Sequence, residues 1–251
     1  MGHREDAAAT TGPLALVTGG SAGLGRALVG ALVHEGWEVV TDARHGDQLG
    51  EVARELGPSC HALTGDVADA RHRARLAAEV TALGGRLALL VNNASTLGPT
   101  PMPAVADLAP EALDDLWLTN VAAPLALAQA LLPALRAGSG ALVSISSDAA
   151  VEHYEGWGGY AASKAALDHL TLTLAAEQPW LSAYAVDPGD MRTAMHQAAF
   201  PGEDISDRPL PETVVPHLLG LLEQRPPSGR YRASDLAPAI PAVPTPAGVG
   251  R

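Results

Sequence analysis

From Pro13 onward, short apolar runs alternate with longer stretches in which apolar residues recur every three or four positions. The first pattern suits buried strands, the second helices with one face turned to a core. Leu14–Thr18 reads as a buried strand running into glycines, and Leu24–Glu35 as the helix after it. Glu38–Thr41 reads as a second strand and His61–Thr64 as a short third, followed by a helix through about Leu83. Leu87–Asn92 (LALLVN) is a strongly apolar fourth strand. A long helix is expected from about Pro110 to Arg136, kinked near Pro124 because proline lacks the N–H that a helix interior needs. Ala141–Ser146 and Ser182–Val186 read as two more strands, with a helix over Tyr160–Glu177 between them. Alternation at this spacing requires parallel strands joined by right-handed crossovers. It predicts a doubly wound parallel α/β sheet in three layers, with helices on both faces.

The alternation weakens after about Phe200. Phe200–Pro211 reads as a polar, proline-flanked loop and Glu212–Glu223 as one more amphipathic helix. Residues 1–12 read as a flexible leader, 13–232 as a single domain and 233–251 as a Pro/Ala-rich tail. Such a tail holds too little apolar area to offset the entropy of ordering it. Apolar residues make up 47% of the chain but aromatics only 4%, so the core must be mostly Ala, Leu and Val, packed closely. A net charge of −12 argues against a nucleic-acid partner, which would need a basic face. Cys60 is the only cysteine, which excludes an internal disulfide and leaves a buried bystander thiol. The charged start Met1–Asp6 lacks the apolar region of a signal peptide, and no apolar run approaches the roughly 18 residues of a membrane span. The expectation is a cytoplasmic protein without a membrane partner. No histidine has partners at metal-ligand spacing, so no metal is implied.

Two constellations carry chemistry. Thr18-Gly-Gly-Ser-Ala-Gly-Leu-Gly25 follows a strand and opens a helix. Glycines there let the backbone turn sharply and let a pyrophosphate lie against main-chain N–H groups, aided by the helix N-terminus. Tyr160-Ala-Ala-Ser-Lys164 opens a second helix, and i, i+4 spacing puts both side chains on one face. A nearby ammonium stabilises phenolate and is expected to lower the tyrosine pKa towards neutrality.

Together these residues resemble the short-chain dehydrogenase/reductase family, its compact single-domain branch with TGxxxGxG and YxxxK motifs. Thr18–Gly25 fits the glycine loop, and Asn92-Asn-Ala-Ser95 is similar to the family's NNAG element, with Ser95 in place of the last glycine. Asn120 lies 40 residues before Tyr160 and Ser147 lies 13 before it, as the family's catalytic Asn and Ser do. Pro188-Gly189 followed by Thr193 is similar to the PGxxxT turn, and Asp66-Val67 to the pair that contacts adenine. The resemblance spans about residues 13–195 and implies a Rossmann fold. It implies catalytic roles for Asn120, Ser147, Tyr160 and Lys164. Tyr160 would be general acid in reduction and general base in oxidation, and Lys164 would hold the nicotinamide ribose. Ser147 would hydrogen-bond the substrate oxygen, and Asn120 would help hold a proton-relaying water. Cofactor contacts are implied for Gly19, Ser21, Gly23, Leu24, Gly25, Arg44, Asp66, Val67, Asn93, Ala94, Pro188, Gly189, Met191 and Thr193, together with Tyr160 and Lys164.

For cofactor identity, an ungapped alignment from Gly36 puts Ala43 at the acidic position of NAD-dependent relatives and Arg44 where NADP-dependent relatives bind the 2′-phosphate. A strand one residue shorter would put Asp42 in the acidic position instead. The reading leans to NADP, with NAD as the alternative. Tyr154 and Trp157 are candidate pocket walls, and Met191, Met195, His196 and Phe200 a candidate lid. Ser228-Gly-Arg-Tyr-Arg-Ala233 stands where the family's C-terminal strand ends in a Val-Asp-Gly-Gly-like stretch, and a final strand fits there. The expected activity is hydride transfer between NADP(H) or NAD(H) and a ketone or secondary alcohol, in a homodimer or homotetramer. A non-redox enzyme on the same scaffold (epimerase, dehydratase or cyclase) and a nucleotide-sensing protein without turnover are the alternatives.

Overall fold

The structure is a computed structural model that describes residues 12–239. All but Gly12 of the expected leader, and residues 240–251 of the expected tail, lie outside the described residues. The strands are β1 (Leu14–Val17), β2 (Glu38–Ala43), β3 (Cys60–Thr64), β4 (Leu87–Asn92), β5 (Ala141–Ile145), β6 (Ser182–Asp187) and β7 (Gly229–Arg232). They form one parallel sheet in the order β3-β2-β1-β4-β5-β6-β7. The order reverses between β1 and β4, and the C-terminal ends of these two strands diverge into opposite crossovers. A crevice is forced there.

The helices α1 (Gly23–His34), α2 (Gly46–Leu56), α3 (Ala70–Ala82), α4 (Pro110–Trp117), α5 (Ala123–Gly138), α6 (Gly158–Glu177), α7 (Ala194–Ala199) and α8 (Val215–Gln224) supply the outer layers. Strand alternation divides the core in two. Ala15, Val17 and Val39 join Leu28, Leu32 and Leu218 under α1 and α8. Leu14, Leu16 and Val40 join Leu76, Leu127 and Leu131 under α3 and α5. Cys60 is buried in the first of these clusters, and burial pushes its thiol pKa up, as a bystander thiol requires.

Four differences from the sequence reading matter. Strand β2 runs two residues further than expected, to Ala43. Helix α2 was not anticipated, because only Leu49 and Val52 along its length are buried. The expected kink near Pro124 takes the form of a π-turn, Leu118–Ala122, between α4 and α5. Pro124 cannot donate to the carbonyl four residues back, and the ladder slips so that the Ala123 N–H bonds Leu118 O. Finally, residues 233–239 are not a loose tail. Ala233 is buried, Ala239 N–H bonds Pro216 O, and the Leu236 carbonyl lies 2.7 Å from His217 Nδ1. Ala233, Leu236 and Ala239 pack on the first core cluster, and main-chain hydrogen bonds add to those few apolar contacts.

The run Pro110–Gly138 also corrects the expectation that nothing approaches a membrane span. By length and composition it is apolar enough to cross a bilayer. Its apolar stripe Leu127, Leu131 and Leu135 is buried against the sheet in the second core cluster.

Candidate active site

A cavity of about 350 Å³ opens at the crevice between β1 and β4 and runs along the C-terminal ends of the strands towards α6 and α7. Its floor is the glycine loop. Gly19 has φ +74°, which favours glycine, and its N–H donates to Asp42 Oδ1 at 2.9 Å. The loop is tied across the crevice by Thr18, whose hydroxyl accepts the N–H groups of Asn93 and Ala94 at 3.0 Å each. Asn93 Nδ2 donates back to Thr18 O at 2.8 Å and to Gly19 O at 3.2 Å.

Helix α1 starts after Ala22, which offers no side-chain cap. Its first N–H groups therefore lack a side-chain acceptor and sit beside Ser21, Gly23, Leu24 and Gly25 in the cavity lining. An uncapped helix start on a glycine floor fits a pyrophosphate. A Cβ on Gly25 would lie 2.2 Å from Gly19 O and 2.5 Å from Asn93 Nδ2. Gly25→Ala is accordingly expected to cost about 1–3 kcal/mol. That lowers Tm by roughly 2–4 °C per kcal/mol in a chain of this size. It should also weaken dinucleotide binding; calorimetry and cofactor titration check both.

One end of the cavity is bounded by Arg44, Asp66 and Val67. Asp66 closes its own turn by accepting the Ala68 N–H at 2.8 Å. Side chains alternate along β2, so Asp42 shares the face of Val40 and points into the α3 layer. There Asp42 Oδ2 meets His72 Nε2 at 2.8 Å, both groups nearly inaccessible. Asp42 is thus spent on Gly19 and His72. Arg44, one residue past the strand, is exposed at the cavity edge, and among the described residues no ion pair engages it.

The other end holds the chemistry-bearing side chains. Ser147 follows β5 and caps the short turn after it. Its Oγ accepts the Ala149 N–H at 3.2 Å and donates to Asp148 Oδ1 at 3.0 Å. Tyr160 and Lys164 lie one turn apart on α6, both buried. Lys164 Nζ donates to Ile145 O at 2.8 Å and lies 5.6 Å from the centre of the Tyr160 ring. Burial lowers the Lys164 pKa to about 8, with Asp168 opposing the shift. The tyrosine does not follow the expectation of a pKa drawn towards neutrality. Burial raises it; hydroxyls of Ser147 and Ser95 favour the phenolate without offsetting desolvation, and Asp148 and Asp187 add to the rise. The ammonium is turned onto a main-chain carbonyl and is not against the phenol oxygen.

Lys164 is also the only lysine among the 251 residues, the other Lys/Arg positions all being arginine. A single lysine among so many arginines is a signal that the sequence itself carries. A compact, titratable ammonium is a property that arginine cannot replace.

The remaining expected residues divide. Pro188, Gly189, Met191 and Thr193 line the cavity after β6, beside Trp157, Met195 and His196. Tyr154 does not line it; its hydroxyl donates to Asp148 Oδ2 at 2.8 Å. Phe200 backs the wall from behind, 5.7 Å from Trp157 and 4.8 Å from His196 between ring centres. Asn120 is not in the cavity lining. Its Oδ1 accepts from Ser95 Oγ and Thr96 N, and its Nδ2 donates to Thr96 O and Ser163 Oγ. Every hydrogen-bonding site of the side chain is used, so the amide itself has none left for a water. Asn120 fastens the segment after β4 to α6. Ser95, which stands at a family glycine, directs its hydroxyl at Asn120.

Residues 13–204 match the profile of the short chain dehydrogenase family. The chain belongs to that family. The oxidoreductase YciK of Escherichia coli K12, itself uncharacterized, is 33% identical over 216 residues, covering 82% of this chain and 84% of that protein. A short chain dehydrogenase from Shigella flexneri 2a, solved in complex with NADP, superposes with a TM-score of 0.83 at 30% identity, covering 88% of this chain and 97% of that one. One from Escherichia coli CFT073 complexed with NADPH gives 0.81 at 30% identity, covering 88% and 96%. As a short-chain dehydrogenase/reductase the chain is an NAD(P)-dependent oxidoreductase on a doubly wound Rossmann sheet.

Proposed function

We propose that this dehydrogenase transfers a hydride between NADP(H) and a small or medium hydrophobic ketone or secondary alcohol, with Tyr160 as the proton-transfer group. The observation that carries the reading is the convergence of Ser147, Tyr160 and Lys164 in the cavity floored by the glycine loop. Exposed Arg44 at the adenosine end supports NADP, as do the two relatives crystallised with NADP and NADPH. Leu97, Trp157, Met191 and Met195 give the substrate end an apolar lining.

The nicotinamide would supply or accept the hydride. This chain's residues would handle the proton. In reduction Ser147 Oγ donates to the substrate oxygen and Tyr160 gives up its phenolic proton to the same oxygen. The transfer from Tyr160 needs a neutral tyrosine, which its raised pKa provides. Lys164 holds the ribose hydroxyls and, while protonated, favours the phenolate left behind. Asp148 competes for the Ser147 proton until the substrate oxygen takes it.

These shifts set a pH dependence. The Lys164 pKa is lowered to about 8, so its charge is present below that pH and lost above it. In the reductive direction kcat/KM for the cofactor, which reports the free enzyme, is expected to be level below about 8 and to fall above it. A profile that climbs through that pH contradicts the assignment of Lys164. The direct test of function is NADPH consumption with a panel of ketones. Substrate turnover without net NADPH oxidation would favour non-redox chemistry instead.

A further inference from the structure

The residues behind Ser147 and Lys164 form a charged cluster that the proton-transfer reading leaves unused. Its centre is Arg230 on β7, in the Ser228–Ala233 stretch that departs from the usual C-terminal strand. Arg230 Nε donates to Asp168 Oδ2 at 3.0 Å. One of its terminal nitrogens donates to the main-chain carbonyl of Ser147 at 2.8 Å and lies 3.7 Å from Asp187 Oδ2. Asp168 sits one helical turn beyond Lys164, is almost fully buried, and also accepts from Ser146 Oγ at 2.8 Å. Its Oδ1 is buried without a hydrogen-bond partner among the described residues. Asp187 in turn accepts the N–H of Gly189, at the turn after β6, at 3.0 Å.

One guanidinium therefore touches all three segments that carry the site: the end of β5, helix α6 and the end of β6. We propose that Arg230 and Asp168 are positioning residues, a clasp that fixes Ser147 through its carbonyl and sets the charge state of Lys164 across one helical turn. A buried carboxylate is costly unless paired and hydrogen-bonded. Burial raises the Asp168 pKa, and the hydrogen bonds from Ser146 and Arg230 oppose that rise in favour of the carboxylate, while the Lys164 ammonium stays on Ile145 O. Asp168 is the charged group that acts on Lys164 directly. Tyr160 stands on the same helix, with Asp148 after β5 and Asp187 on β6 acting on it, and Arg230 and Arg232 on β7 reach the set through their pairs with Asp168 and Asp187. Removing an anion from this set lowers the Lys164 pKa, and removing a cation raises it.

The role of the clasp in turnover rests on the proposed hydride transfer, but its electrostatic core is testable without cofactor or substrate. Because Lys164 is the only lysine, protein isotope-labelled at the lysine ε-carbon gives one NMR signal whose titration belongs to Lys164 alone. Asp168→Asn should move that midpoint down by about 1–2 pH units, as for neighbouring charges, and Arg230→Gln, at a guanidinium that stands behind Asp168, should move it up by less. In NADPH oxidation with a ketone substrate, both variants should lower kcat with little change in the KM for NADPH. Opposite displacements support the clasp. Midpoints that stay put while thermal stability falls would reduce the pair to a structural bridge and overturn the proposal, as would displacements of the same sign. If Arg230→Gln does not fold, Asp168→Asn, which preserves volume, decides alone: an unmoved or raised midpoint overturns it. Because the titration involves no turnover, loss of the hydride-transfer reading through Tyr160→Phe would leave this result standing, and the converse holds as well.

Discussion

Tyr160→Phe is expected to lower turnover by about 10²–10⁴-fold, the range typical of a lost general acid–base group, while dinucleotide affinity barely changes. The substitution removes one oxygen and leaves the ring. That ring packs with Leu97, Leu116 and Ala149, and edge-on to Trp157 at 5.8 Å between centres. The packing needs no hydroxyl, so the fold and the glycine floor should be intact. The polar cost is also limited, since Ser147 retains Asp148 as partner and Ser95 retains Asn120. What disappears is the phenolic proton beside Ser147, which the raised pKa of Tyr160 keeps in place at neutral pH. Ser147 would still polarise the substrate oxygen, which accounts for residual activity. Steady-state kinetics with NADPH and a ketone, beside a cofactor titration, check both halves. Undiminished turnover would remove Tyr160 from the mechanism, whereas parallel loss of cofactor binding would point to a packing role.

The sheet was legible because its strands are short, apolar and regularly spaced, and burial on both faces leaves little room for another pattern. The Ser147, Tyr160 and Lys164 positions were legible through spacing. Helix α2 was missed because it is polar overall and short, and its one-sided apolar pattern rests on few residues, with only Leu49 and Val52 buried. Asn120 was found by position, but its side-chain partners were not legible. Only coordinates reveal that all four of its hydrogen bonds are used by Thr96, Ser95 and Ser163. Arg230 carried no local signal, because its partners Ser147, Asp168 and Asp187 are 43–83 residues away along the chain and meet it only through the parallel register of β6 with β7. Long-range polar contacts of this kind leave no periodicity in a sequence.

Arg44→Ala should weaken NADPH binding by about 10- to 100-fold, the equivalent of one charge-assisted hydrogen bond to phosphate, and leave NADH nearly unchanged. The argument depends on which side chain meets the adenosine ribose. A strand ending one residue earlier would have turned the Asp42 carboxylate to the ribose and repelled a 2′-phosphate. Strand β2 instead pairs with β3 through Ala43 opposite Thr64, which turns Asp42 into the α3 layer. His72 reaches it there because Gly65 has no side chain; a Cβ on Gly65 would lie 2.1 Å from the His72 ring. With both Asp42 oxygens engaged, the cationic Arg44 is left to face the phosphate. Asp42→Asn separates the two roles. Acting through Gly19 and the loop floor, it should weaken NADPH and NADH alike, with no change in their ratio. Binding constants for both dinucleotides in the two variants measure this. An Arg44→Ala variant that loses both cofactors equally, or an Asp42→Asn variant that shifts preference towards NADPH, would place specificity on Asp42 and reverse the assignment.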